Sequence, residues 1–234
     1  MPQRWNAPGE SAITWMWPGQ STEDLGLLVI TGGKLHRWPV PGAHRYVVEA
    51  FDVDEDAGVA VALIVTLPRR GAGTSRQETY EYEPSRGWIA LGGGAFSPAD
   101  RALARTRPSA ARSGPAVMIS TNGASSTRSY VERLRRSEAG RPLSLGTVSW
   151  VSTGVIEVSV EVDHLLFSGR RISVPDHGRC VVTWKSPAPT TTTRPTLPRI
   201  AAADRDGRIL TELGPDNTLD TFTQAFLDEL TAPG

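Results

Sequence analysis

The sequence predicts a mainly β chain: an antiparallel, β-sandwich-like body with short helices in its middle and one amphipathic helix at the C-terminus. Three observations carry this. Apolar and polar residues alternate over several short runs, the period-2 pattern of strands. Turn signals recur roughly every 8–12 residues, the spacing of an all-β body. Glycine (23) and proline (18) are abundant among the 234 residues, which suits tight turns better than long helices.

The elements follow in order. Residues 1–24 carry Trp5, Trp15 and Trp17 among Pro, Gly, Ser and Asn. Disordered tails are poor in aromatics, so this segment is expected to pack on the body, with a strand over Ser11–Trp17. Leu25–Ile30 and Lys34–Trp38 flank Gly32-Gly33 and read as a hairpin. Arg45–Val53 and Gly58–Leu67 form a second, looped through Asp54-Glu55-Asp56. Gln77–Glu83 and Gly87–Leu91 form a third, turned through Pro84-Ser85-Arg86. In that last pair Glu78, Tyr80 and Tyr82 share one face. Gln77, Thr79, Glu81 and Glu83 share the other, which reads as wet.

The middle changes character. Gly92-Gly93-Gly94 reads as a flexible turn. Ser97 can cap a short helix with Pro98 in its first turn and Asp100 completing a capping box. Residues 126–136 suit a second helix, preceded by the polar loop Asn122–Thr127 and a short strand over Ala116–Ser120. Strands return at Leu145–Val151 and Val155–Val162, the latter with Ile156, Val158, Val160 and Val162 on one face. Arg170–Val174 and Gly178–Trp184 follow. Residues 186–198, SPAPTTTTRPTLP, read as an extended loop. Pro198–Ala203 and Arg208–Leu213 flank the turn Asp204–Gly207. Asn217 and Asp220 can start a final helix whose stripe is Leu219, Phe222, Phe226, Leu227 and Leu230.

This gives an N-terminal Trp-containing segment (1–24), a β-rich body (25–213) and a C-terminal helix (214–234). Inside the body two β blocks, 25–95 and 143–213, bracket an arginine-rich, partly helical stretch, 96–142. A single body is favoured, because about 70 residues alone offer little core.

Charge and cysteine exclude several classes. There are 25 basic and 25 acidic side chains, so no net field draws the chain to nucleic acid or to an anionic membrane. Cys180 stands alone, so an intramolecular disulfide is excluded and a reducing compartment is expected. The N-terminus has no apolar core of a signal peptide, and the longest apolar run, 58–66, is too short to span a bilayer. The expected location is the cytoplasm, with no membrane partner.

Site candidates are few. Asp52, Asp54 and Asp56 resemble a calcium loop, but Ala57 stands where the loop needs glycine and Leu63 where it needs glutamate. Solvation of a hairpin end is the plainer reading. His177 with Asp176, and His164 beside Asp163, are the candidate acid–base groups. Neighbours on a strand point to opposite faces, so adjacency alone makes no dyad. His36 and His44 lack metal-ligand spacing, and no metal or other cofactor is expected. Cys180 reads as buried and inert. Asp204 and Asp206 read as turn residues. The loop before residue 126, with Arg128, offers an anion site at a helix start.

Residues 101–141 hold nine arginines against two glutamates, and 204–230 hold seven acids against two arginines. Arg128, Arg133, Arg135 and Arg136 are the candidate nucleic-acid contacts. Phe222, Phe226 and Leu230 are the candidate protein interface. The leading expectation is a non-catalytic interaction or scaffold protein that binds another protein or itself. A hydrolase with a loop-assembled His/Asp site is the second reading, with Ser120, His44 or Asp52 as further members. Nucleic-acid binding through the arginine-rich middle is the third.

Overall fold

The computed structural model describes residues 12–17, 19–36, 42–67, 73–98, 107, 109, 114–125, 149–187 and 199–213. These form twelve strands and one helix: β1 Ala12–Met16, α1 Thr22–Ile30, β2 His44–Asp54, β3 Val59–Leu67, β4 Thr74–Glu83, β5 Gly87–Pro98, β6 Ala116–Ser125, β7 Ser149–Val158, β8 His164–Phe167, β9 Arg170–Ser173, β10 Arg179–Pro187, β11 Ile200–Ala203 and β12 Ile209–Leu213. The protein is mainly β, and every strand pairing is antiparallel.

The strands make three sheets. The first is the sequential meander β1-β2-β3-β4-β5, the second runs β10-β7-β6, and the third runs β12-β11-β8-β9. Helix α1 covers one face of the first sheet. Leu25 and Val29 pack there on Tyr46, Val48, Ala60, Ala62, Ile64 and Tyr80. Contact is close because residue 26 is glycine. A Cβ there would lie 1.9 Å from the Tyr80 hydroxyl, which donates to the Glu23 carbonyl at 2.8 Å.

The opposite face of the first sheet meets the second. Ala50, Val61 and Leu63 pack against Val155 and Val181. The other face of the second sheet carries Ile156, Val158, Cys180, Val182 and Trp184, which pack with Leu165, Phe167, Ile200 and Ala202 of the third. The second sheet is thus covered on both faces, which is why β7 is buried from Val151 through Val158.

Several expectations change. Residues 22–30 are a helix and not the first strand of a hairpin. Ser21 accepts from the Asp24 N–H and Asp24 accepts from the Ser21 N–H, a capping box that fixes a helix start. Ser97 and Pro98 end β5 and do not open a helix, while 99–106 lie outside the described residues. The three glycines continue β5 because the Glu78 carboxylate lies over Gly93. A Cβ at Gly93 would stand 1.9 Å from Glu78 Oε2. Asn122–Ser125 pair with Thr153–Trp150 of β7, so these four residues are strand, while the helix start and Arg128 expected to form an anion site lie outside the described residues. The described part of the strand expected at 145–151 runs on into that expected at 155–162 as β7, residues 145–148 lie outside the described residues, and Val160 lies exposed in the turn that follows. The hairpins at β2–β3, β4–β5 and β11–β12 are as expected. Asp204 accepts from the N–H groups of Asp206 and Arg208, at 3.0 and 2.9 Å. The candidate helices 126–136 and 217–231 lie outside the described residues.

Candidate functional site

The charged side chains concentrate between the first and second sheets. β4 was expected to have one wet face, but Gln77, Thr79 and Glu81 on that face are all buried. Burying such groups costs several kcal/mol, about 2–7 each, unless partners replace water. Partners come from across the layer. Gln77 donates to the Thr153 hydroxyl, and Lys185 reaches Glu81 at 2.6 Å.

At the β2 end the layer becomes a network. Glu49 is the extra residue of a bulge between Val48 and Ala50. Its carboxylate binds Arg179 at 2.8 Å, with both side chains buried. Its carbonyl is 2.8 Å from His177 Nε2, and the Arg179 N–H donates to His177 Nδ1 at 3.1 Å. Nδ1 therefore accepts and Nε2 carries the proton. Burial pushes His177 down to about 4, with the Glu49 carbonyl opposing and the Arg179 cation adding to the shift. Asp176 beside it is exposed.

Three residues further along β2, past the bulge, Asp52 faces the same layer. Arg170 of β9 donates to Asp52 Oδ1 at 2.7 Å and to the Val53 carbonyl at 3.2 Å. Its Nε lies 3.4 Å from Asp54, and its guanidinium sits 5.3 Å from the Phe167 ring centre. The Thr183 N–H donates to Asp52 Oδ2 at 2.9 Å, and Arg170 donates to the Thr183 carbonyl at 2.9 Å. Burial raises the Asp52 carboxyl above the usual range, with Arg170 and the Thr183 N–H pulling the other way. Of the three candidate calcium ligands, Asp52 and Asp54 meet an arginine, Asp54 also accepts from the Ala57 N–H at 3.0 Å, and Asp56 is an exposed turn residue. Among the described residues no cluster of three His, Cys, Asp or Glu side chains is arranged to hold a metal ion.

The remaining candidates lie apart from this network. His164 Nδ1 is 3.1 Å from Asp163. These neighbours meet because Asp163 precedes β8, so strand alternation does not separate them. Arg171 also binds Asp163, at 2.9 Å, and the two contacts hold its carboxyl below the usual range, His164 contributing most. The His36 ring lies beside Trp17 and the His44 ring beside Tyr46. Cys180 is buried, and desolvation pushes its thiol up to about 12. Arg107, from the arginine-rich stretch, donates to the carbonyls of Pro175 at 3.1 Å, Val174 at 3.0 Å and Val162. Arg128, Arg133, Arg135, Arg136, Phe222, Phe226 and Leu230 lie outside the described residues.

Sequence reasoning missed Glu49, Arg170, Arg179 and Lys185. One signal was present. A buried strand face that carries acids needs either water or opposite charge facing it, and β10 places Arg179 and Lys185 on one face, six residues apart.

No family model, curated protein or solved structure matches this chain.

Proposed function

We propose that this is a non-catalytic interaction or structural protein, one able to associate with a second copy of itself or with a partner protein. The observation that carries the reading is the use made of the acid–base groups. His177, Asp52 and Arg170 are engaged with backbone or opposite charge between layers, an arrangement that holds sheets together and occupies these three groups structurally. Association has a candidate surface on the α1 side of the first sheet. Tyr82 and Phe51 are exposed there, with Tyr82 stacked edge-on against Trp88 at 5.5 Å, and exposed aromatics of this kind favour protein contacts. A sandwich-like body and a cytoplasmic location belong to the same proposal. The lone buried Cys180 supports the latter, and no described helix is long and apolar enough to cross a membrane.

The test is native mass by light scattering over a concentration series, with Y82S and F51S alongside. The reading expects a mass above that of one chain, or a co-purifying protein, reduced in both variants. A monomer at every concentration with no bound partner would overturn it.

A hydrolytic reading draws support from one contact, Asp163 with His164. It expects ester hydrolysis by the purified chain that disappears in H164A, and equal rates in the two proteins would sink it.

A further inference from the structure

Among the described residues, strand β10 is an edge of the second sheet, paired to β7 on one side. Its central residue is Thr183, with four strand residues on each side. The N–H and C=O of Thr183 both go to side chains, the former to Asp52 and the latter to Arg170. They therefore point away from β7, where a further strand would lie. The Asp52–Arg170 pair occupies the ladder position that such a strand would fill. Its two halves come from different layers, Asp52 from the first sheet and Arg170 from the third, so the pair closes over the edge of the sheet between them. Two strand residues earlier than Val181, the outward N–H of Arg179 is covered in the same way, by the His177 ring.

Unprotected edges invite pairing with other chains, and charged side chains are a known means of blunting them. We propose that the Asp52–Arg170 pair is a guard on the β10 edge, and that a second copy of this chain pairs there once the guard is removed. The occupant follows from the symmetry of the strand. Antiparallel pairing of two β10 strands about Thr183 keeps all nine residues of each in register. It sets Val181 of one copy opposite Lys185 of the other, and Arg179 opposite Pro187. Each Thr183 then exchanges with its counterpart the two hydrogen bonds it now makes to Asp52 and Arg170, the reciprocal pattern of a hydrogen-bonded antiparallel pair. Pro187 lacks an N–H but falls at the end of the paired stretch, where its absence costs least. This edge is distinct from the Tyr82–Phe51 surface, so the two proposals stand or fall separately.

The experiment is light scattering on the full chain and on D52V/R170M. Removing both charges together leaves neither Asp52 nor Arg170 as an unpaired buried ion, and Asp54 keeps its bond from the Ala57 N–H; far-UV circular dichroism checks that the variant is folded before its mass is read. The mean mass of D52V/R170M is expected to be at least about twofold that of the wild type at equal concentration, one added copy per edge. Adding K185P is expected to restore the wild-type mass, because proline there removes an outward N–H of the edge. An unchanged mass in D52V/R170M overturns the proposal, and so does a raised mass that K185P leaves in place. D52N provides a second route. It keeps the shape of the side chain and loses the charge that holds Arg170. Faster exchange of the Thr183 amide with a raised mass supports the guard, and wild-type exchange and mass in D52N overturn it. Y82S in the same background leaves the mass gain intact if the edge is the contact.

Discussion

Asp52 on β2 and Arg170 on β9 stand 118 positions apart in sequence and 2.7 Å apart in space, and between them they satisfy both backbone groups of Thr183. The pair joins three sheets at one point. Its energetic meaning is asymmetric. Taking one partner away leaves a buried charge and typically costs about 3–5 kcal/mol, whereas replacing both with apolar side chains is near neutral. R170A is therefore expected to lose stability on that scale in urea unfolding; D52V/R170M leaves neither ion unpaired but strips the Thr183 N–H and C=O of their partners, so it is expected to lose less than D52V and R170M added together. Arg170 keeps some solvent contact, with its side chain 24% exposed, which places R170A at the lower end of the range. A double-variant loss equal to the sum of the D52V and R170M losses would contradict this account.

Glu49 and Arg179 form the more deeply buried pair, with side chains 0% and 5% exposed. Screening by water is minimal there. E49A is expected to cost about 3–5 kcal/mol and to cost more than E81A, whose partner Lys185 is 29% exposed. Urea midpoints for the two variants, measured at the same pH, check the order. Alanine keeps the backbone carbonyl that meets His177, so the E49A loss reports the carboxylate alone.

How much of this was legible beforehand depends on the range of the interaction. The β2–β3, β4–β5 and β11–β12 hairpins were readable because their turns are local chemistry, as Asp204 shows by bonding two N–H groups of its own turn. Helix α1 is poorly legible because its apolar run, Leu25 and Leu27–Ile30, carries no clean 3.6 period, which leaves the capping box at Ser21–Asp24 as its main helix signal. The polar face of β4 was read as wet because alternation reports only that a face is polar, not whether opposite charge covers it. Arg170 and Arg179 lie more than a hundred residues from Asp52 and Glu49, and no spacing rule connects residues at that distance. The third sheet suffered similarly. β8 is four residues long, too short for a periodic signal.

The glycines of β5 are distinguishable from one another. At Gly93 an added Cβ would meet Glu78 Oε2 at 1.9 Å and the Gln77 carbonyl at 2.6 Å, and at Gly94 it would meet nothing within 4 Å. Glu78 cannot yield easily, since Thr22 donates to it at 2.5 Å and Arg76 at 3.1 Å. G93A is expected to lose about 1–3 kcal/mol through overpacking, as G94A stays within about 0.5 kcal/mol of the wild type. Thermal unfolding of both proteins is a sufficient check, and indistinguishable midpoints would show that Glu78 moves aside freely.

His177 gives the protein a pH dependence whose sign follows from geometry. Nδ1 accepts from the Arg179 N–H and Nε2 donates to the Glu49 carbonyl, so the neutral ring satisfies both neighbours. A second proton would set donor against donor at Nδ1, beside the Arg179 cation. Burial is the largest cause of the shift, from 6.5 to about 4. The folded state therefore binds this proton less readily than the unfolded state. The stabilisation is present in full above the unfolded value of 6.5 and is lost as pH falls through 6.5 towards 4. The full loss is about 3 kcal/mol, at roughly 1.36 kcal/mol for each unit between the two values. Asp52 works against it. Its folded carboxyl is raised, so the folded state takes up its proton more readily as pH falls, and that gain partly offsets the loss from His177. Replacing His177 with glutamine, which keeps a donor and an acceptor, is expected to flatten the dependence between pH 6.5 and 4 while leaving the Asp52 contribution. Urea unfolding of wild type and H177Q at half-unit steps of pH separates the two. Parallel curves through that window would mean that the His177 ring does not hold its proton as the Glu49 and Arg179 contacts require.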